Sequence, residues 1–323
     1  MPKKKTFAID THAHIVVPEI GALMKKYATH AQNDARSWEG GTITERHFDR
    51  KLRLKDMNKG RIDMQVISTG LPAQCQWTDR EGARALMRVA NESVAGWVGV
   101  DPDRFVGIGT VLLHDVPLAI EELDYAVNSL GLRGMMSLTN IKGRDLGEKE
   151  FWPFWAALEK TGVPIFLHPH GFTQPERLQK FKLSNTVGQP LEHTLAMASL
   201  IHEGVMEAFP KLKVHFAHGG GYLPFYSGRS DSTHERDPST RENIKHKPSW
   251  YMKKFWYDTV IFDQRMIEYL ADRVGENRVM LGSDYPWRLW DAEGMVSSSK
   301  KISREAKERI LWKNAASMYG IRV

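Results

Sequence analysis

Four short stretches carry side chains able to bind metal ions or move protons, each where an extended run of sequence ends. The first is Asp10-Thr11-His12-Ala13-His14. Strand side chains alternate, so Ala8, Asp10, His12 and His14 are expected on one face. Two imidazoles so spaced can converge on one ion, although a lone His-X-His is a weak signal. The second is Pro164-Ile-Phe-Leu-His168-Pro-His170, where His168 is in register with Phe166. His170 follows Pro169, past which alternation predicts no direction, and is read as lining a pocket. The third is Lys213-Val-His215-Phe-Ala-His218, followed by Gly219–Gly221. Here Val214, Phe216 and His218 share parity. His218 is therefore the site candidate, and His215 is expected to face a helix layer in a structural role. The glycines allow a sharp turn and close approach to a ligand. Their spacing is not a dinucleotide fingerprint. The fourth is Val279-Met-Leu-Gly-Ser-Asp284, with Met280, Gly282 and Asp284 in parity. Asp284 could be a ligand, a base or a cap.

Singly, each histidine reads as well as a core residue bonded to a carbonyl; the coincidence of four strand ends carries the reading. The chain has 13 His and one Cys, Cys75, so a transition-metal site must be built from imidazole and carboxylate. Three imidazoles and one carboxylate suit Zn²⁺ with an open position for water or substrate. Mn²⁺, which favours more oxygen ligands, ranks second. Such an ion lowers the pKa of bound water or polarises a bound oxygen.

These strand ends need a scaffold that brings them to one place. Short apolar runs at Phe7–His12, Asp63–Ser68, Phe105–Gly109, Gly131–Met135, Pro164–His168, Lys213–Ala217, Phe255–Thr259 and Arg278–Gly282 read as buried parallel strands. Between them, Arg80–Val98, Pro117–Leu130, Glu150–Lys160, Glu192–Phe209, Gln264–Val274 and Ser303–Tyr319 have helical spacing. Eight strands alternating with helices predict an α/β fold, a TIM-like (β/α)8 barrel, whose sites lie at the strand C-termini. A doubly wound open sheet fits less well, because the turn after the first strand lacks glycine. The whole chain, 1–323, is read as one barrel domain. Segment 18–49 is a small insertion after the first strand near the mouth, and Ser230–Pro248 is read as a charged loop.

Composition narrows the function classes. With 323 residues, 41% hydrophobic and 26% charged, the chain can bury an ordinary core. The net charge of +6 is mild and interleaved, so no nucleic acid is expected as a partner. Lys3, Lys4 and Lys5 read as a solvated terminus. No signal peptide or membrane-spanning run is seen, so a cytoplasmic protein with no membrane partner is expected.

Five motifs in order then carry a family resemblance over nearly the whole chain. They are Ile9-Asp-Thr-His12-Ala-His14-Ile15, Asp101-Pro-Asp-Arg-Phe-Val-Gly-Ile-Gly-Thr110, Phe166-Leu-His168-Pro169, the run from Glu203 to Gly221, and Leu281-Gly-Ser-Asp284-Tyr-Pro286. The chain resembles the amidohydrolase superfamily and, within it, the α-amino-β-carboxymuconate-ε-semialdehyde decarboxylase family. The resemblance implies a distorted (β/α)8 barrel of the metal-dependent hydrolase type with one divalent metal, usually zinc. It implies His12, His14, His168 and Asp284 as ligands, Asp284 also serving catalysis. His218 matches the histidine that activates water at the metal and handles the proton. Arg229 matches an arginine that reaches the neighbouring subunit's pocket, which implies a homodimer. Arg46 is nearest to a second substrate arginine, slightly out of register. The chain departs from the pattern at His170, where the family's namesake enzyme has tryptophan, and across Pro18–Asp49.

The function so expected is non-oxidative decarboxylation of an aromatic or conjugated carboxylic acid. His218 would manage the proton that replaces CO₂, and Arg229 would pair with a carboxylate. Phe172, Tyr222, Trp287 and Trp290 could flank a planar substrate, though core packing is the readier reading of each aromatic taken singly. A metal-dependent hydrolase of an amide or lactone is the alternative. Against it, Met135 and Met136 stand at the fourth strand, where a lysine would be needed for a bridging carbamate. A barrel that has kept the motifs without catalysis is the remaining reading.

Overall fold

The computed structural model describes residues 6–27, 44–70 and 75–323. The apolar runs form eight consecutive parallel strands. They are β1 (Ile9–Ile15), β2 (Met64–Thr69), β3 (Phe105–Gly107, resuming at Gly109–Thr110) and β4 (Met135–Leu138). Then come β5 (Ile165–His168), β6 (Val214–Phe216), β7 (Trp256–Asp258) and β8 (Val279–Met280). Neighbours in this order pair in parallel from β1 to β8. At Ile108 the third strand passes from β2 to β4, its first part pairing with one and its second with the other. The ring closes where Thr11 N donates to Leu281 O at 2.8 Å and Ala13 bridges Tyr285. The architecture is therefore the (β/α)8 barrel.

Helices pack outside. They are α1 (Pro18–Tyr27), α2 (Arg50–Lys59), α3 (Arg80–Val100), α4 (Val116–Asp124), α5 (Trp152–Thr161), α6 (Gln189–His202), α7 (Leu223–Arg236), α8 (Gln264–Val274) and a terminal α9 (Asn314–Tyr319). Asp49, Asp79, Asp115 and Asp263 cap four of them through side-chain carboxylates. The main core lies between strands and helices. A second apolar cluster fills the barrel floor, with Ile9, Val66, Val106, Met136, Phe166, Ala217 and Met280 closed by Met318 and Tyr319 of α9.

Some elements differ from the sequence expectation, each for a local reason. The fourth strand starts at Met135 because Gly131 (φ 68°) turns the chain before it. The helix expected to run from Glu192 to Phe209 stops at His202 because Gly204 is left-handed (φ 78°), where a Cβ would meet Asn243 O at 2.8 Å. Ser230–Arg236 is the second half of α7 rather than loop. In segment 18–49, α1 and one turn at Glu45–His47 are defined; residues 28–43 and Lys3–Lys5 lie outside the described residues. No helix among the described residues is long and apolar enough to cross a membrane.

Two facing assignments also change. The β1–β2 register slips between Asp10 and Ala13. Asp10 therefore points away from His12 and His14, and its carboxylate accepts from Gln65 Nε2 (3.0 Å) and Ser283 Oγ (2.5 Å). Ala8 joins the helix-side core. In β6, Val214 and Phe216 belong to that core too, while His215 points inward against Phe166 (rings 4.6 Å apart) and Tyr319 Oη (2.9 Å). His215 is structural, as expected, but on the opposite face. His218 enters the barrel mouth by a different route: it lies past the strand with φ at 53°.

Candidate active site

Strands β1, β5 and β8 deliver His12, His14, His168 and Asp284 to one point, with one ligand atom from each within 4.8 Å of all the others. The His12 and His14 Nε2 atoms are 3.0 Å apart, and Asp284 Oδ1 is 3.3 and 3.5 Å from them. Local backbone makes this possible. Gly282 lets β8 close in, since a Cβ there would meet Asp258 Cβ at 2.8 Å and His12 Cβ at 3.1 Å. Asp284 itself adopts φ 60°, a sparsely populated conformation held by its N–H to His12 O at 2.9 Å. From behind, the fully buried Arg53 donates to His14 O and to Gln65 Oε1, stacking on Tyr285.

The imidazole tautomers follow from their other partners. His12 Nδ1 donates to Asp258 Oδ2 at 2.6 Å and His168 Nδ1 to Pro169 O at 2.9 Å, both acceptor-only. In the neutral imidazoles, Nε2 therefore carries the lone pair. His14 Nδ1 lies 3.0 Å from Ser68 Oγ, which fits the same state. His168 Nε2 and Asp284 Oδ1 are buried without a hydrogen-bond partner. Three lone pairs and a carboxylate facing one point fit a divalent cation.

The electrostatics agree. Burial opposes a charge on His12, but the Asp258 and Asp284 carboxylates outweigh it and push its pKa up to about 10. Burial drives His14 down to about 4 and His168 well below the usual imidazole value. Burial would raise Asp284, yet the His12 charge beside it holds it well below the carboxylate range. The cluster favours a localised positive charge, which a metal ion would supply while displacing the proton.

His218 stands beside this cluster, its ring centroid 4.9 Å from His168 and 5.2 Å from His12. Burial lowers its pKa to about 4. Its Nδ1 lies 3.1 Å from His193 Nε2.

The remaining sequence candidates are more dispersed. Trp287 packs its ring on His47, 4.6 Å away. His170 is exposed just past His168, Phe172 is half-buried, and Trp290 donates to Ser283 O at 2.8 Å. Arg46 is engaged by Asp56 at 2.7 Å, at the edge of a cavity of about 400 Å³ behind the Asp284 turn. Arg229 and Tyr222 line another groove, of about 430 Å³, together with Tyr226 and Thr194 on the outer side of α6 and α7. The structure does not bring Arg229 to its own chain's cluster. Cys75 is buried, and burial pushes its thiol up to about 12.

Two residues escaped the sequence reading. Asp258 holds His12 and also accepts from Gly219 N (3.2 Å) and Val260 N (3.0 Å). Its signal was present: an acidic residue at the inward end of the seventh strand. His193 sits in mid-helix, and nothing in the sequence places it next to His218.

The chain is 31% identical, over 98% of its length and 92% of the relative's, to a 2-amino-3-carboxymuconate-6-semialdehyde decarboxylase of Dictyostelium discoideum. It is 26% identical to a gamma-resorcylate decarboxylase of a Polaromonas species, over 84% of this chain and 86% of that one. A solved structure of 5-carboxyvanillate decarboxylase from Novosphingobium aromaticivorans, with bound manganese and a nitrobenzoic acid, superposes with TM-score 0.88 at 23% identity, covering 99% of each chain. The amidohydrolase family pattern matches residues 9–321. By fold, by relatives and by that match from β1 to the last helix, the chain belongs to the amidohydrolase family.

Proposed function

We propose that this protein is a metal-dependent, non-oxidative decarboxylase of an aromatic or conjugated carboxylic acid. The observation that carries the reading is the convergence of His12, His14, His168 and Asp284 within 4.8 Å, with His218 beside them. Relatives named as decarboxylases of a carboxymuconate semialdehyde and of gamma-resorcylate support the reaction class.

One divalent ion would be held by those four side chains, and when bound it polarises a substrate oxygen and neutralises its charge. Sequence chemistry ranks zinc first; the manganese named in the 5-carboxyvanillate decarboxylase structure moves manganese ahead. Breaking the carbon–carboxylate bond leaves an electron pair on carbon, and a proton must take the place of CO₂. His218 is the proton-handling residue. Its Nδ1 is engaged by His193, so Nε2 is the atom that meets the substrate carbon. Asp258 keeps His12 in the tautomer a ligand needs. Trp287, Phe172 and His170 follow the ligands in the chain and border the substrate, and His47 on Trp287 brings the turn Glu45–His47 to the same mouth. Arg229 is exposed and lines a groove to which none of the four ligands contributes, which supports its use by a neighbouring subunit in a homodimer. Arg46, tied to Asp56, is the weaker substrate contact.

The test is product analysis with metal-loaded protein on hydroxybenzoates, carboxyvanillate and amino-carboxymuconate semialdehyde. Release of CO₂ with a product lacking one carboxylate is expected. Hydrolysis of amides or lactones, with no CO₂ from any acid in the panel, would overturn the reading.

A further inference from the structure

The contact between His193 and His218 joins the site to a helix that supplies none of the four ligands. His193 is fully buried in the first half of α6. Its Nε2 is 3.1 Å from His218 Nδ1, and its Nδ1 is buried with no partner. A leucine would fill the same space without leaving a buried polar atom unpaired, which folding disfavours. Packing alone therefore gives no reason for a histidine here; the bond to His218 does.

The backbone is shaped to permit that bond. His218 is held in its unusual conformation by Gly220 N to Ala217 O (3.0 Å) and Gly221 N to His218 O (3.2 Å). A Cβ at Gly221 would lie 2.1 Å from Pro190 O and 3.0 Å from His193 Cβ. The turn after β6 and the start of α6 are thus in direct contact, and the glycine is what lets the two imidazoles meet. The preceding residue, Glu192, accepts from Thr173 N and Oγ, both at 2.7 Å. One turn of α6 so anchors both the loop after β5 and the turn after β6.

We propose that His193 is a positioning residue for proton transfer: it engages Nδ1 of His218, fixes the ring, and leaves Nε2 as the nitrogen that serves the substrate. The proposal rests on the decarboxylase reading in taking His218 as the group that handles the proton. An imidazole can present either nitrogen, and only its second hydrogen bond decides which.

Steady-state kinetics and metal content of His193→Phe and His193→Gln, alone and with His218→Ala, test it in the metal-loaded full chain. Gln carries an amide near the position of Nε2; Phe removes the polar atom and keeps the ring. His193→Phe is expected to lower kcat by about 10²-fold, within the range of general acid–base effects, with KM and metal content unchanged. His193→Gln should recover most of that loss. In the His218→Ala background neither change should cost anything further. Unchanged kcat in His193→Phe, or the same loss with and without His218, would overturn the proposal. If the Phe variant does not fold, His193→Asn, whose amide is too short to reach Nδ1, takes its place with the same outcomes. Full turnover in His218→Ala alone would instead remove the proton assignment on which the proposal stands.

Discussion

Replacing Asp258 with asparagine changes one atom and should weaken metal binding through a residue that never touches the metal. Asp258 Oδ1 accepts from Gly219 N at 3.2 Å and Val260 N at 3.0 Å, while Oδ2 accepts from His12 Nδ1 at 2.6 Å. In Asp258→Asn the two backbone donors keep the amide oxygen on their side. The NH₂ group then faces His12 Nδ1, which must become an acceptor. The ring proton moves to Nε2, where the metal lone pair was. His12 either leaves the ligand set or keeps Nδ1–H against another donor. Partners of this kind are worth about 10–100-fold in metal affinity, or about 1.4–2.7 kcal/mol. A forced tautomer puts this change at the upper end. Competition of the purified protein against a fluorescent chelator measures it, with circular dichroism and Tm confirming the fold. An affinity within about threefold of wild type, in a folded variant, would refute the tautomer argument and the role assigned to Asp258.

Three further outcomes are expected. His218→Ala should retain one metal per chain yet lose about 10²–10⁴-fold in kcat, read by metal analysis and CO₂ release; retained turnover would dismiss it as the proton-handling residue. Arg229→Ala should raise KM, and at low substrate mixed dimers of Arg229→Ala and His218→Ala chains should turn over faster than either parent; no gain despite proven subunit exchange would place Arg229 outside a shared site. Burial lowers the His215 pKa to about 3, so below the ordinary value of 6.5 the unfolded chain takes up a proton that the folded chain refuses. That contribution is present above pH 6.5 and is lost as pH falls towards 3, at a slope of at most about 1.4 kcal/mol per pH unit. Denaturant titrations of His215→Gln between about pH 7 and 4.5 should show a shallower fall than wild type, and an identical slope would contradict this.

The barrel and the four side chains that converge at its mouth were legible because both depend on short-range pattern. Apolar runs of strand length recur between helical spacings, and His12, His14, His168 and Asp284 sit where those runs end. What could not be read is what depends on irregular backbone. The slip between Asp10 and Ala13 puts Asp10 on the other face from His12. Alternation placed His218 in the site for the wrong reason: Val214 and Phe216 face the helices, and His218 reaches the mouth only through its left-handed turn. His193 depends on the contact of Gly221 with Pro190, a tertiary approach that no periodicity encodes. Asp258 was readable by strand-end position, but its use becomes evident only once His12 needs a partner for Nδ1.

On the proposed reaction, one divalent ion held by His12, His14, His168 and Asp284 is required for loss of CO₂. Stripping the protein with a chelator and titrating back Mn²⁺ or Zn²⁺ while measuring CO₂ release against bound metal tests this directly. The predicted result is no turnover in the stripped chain, a linear return that saturates at one ion per chain, and loss of that ion in His168→Ala. Full CO₂ release from metal-free protein, or turnover indifferent to occupancy of that site, would contradict it.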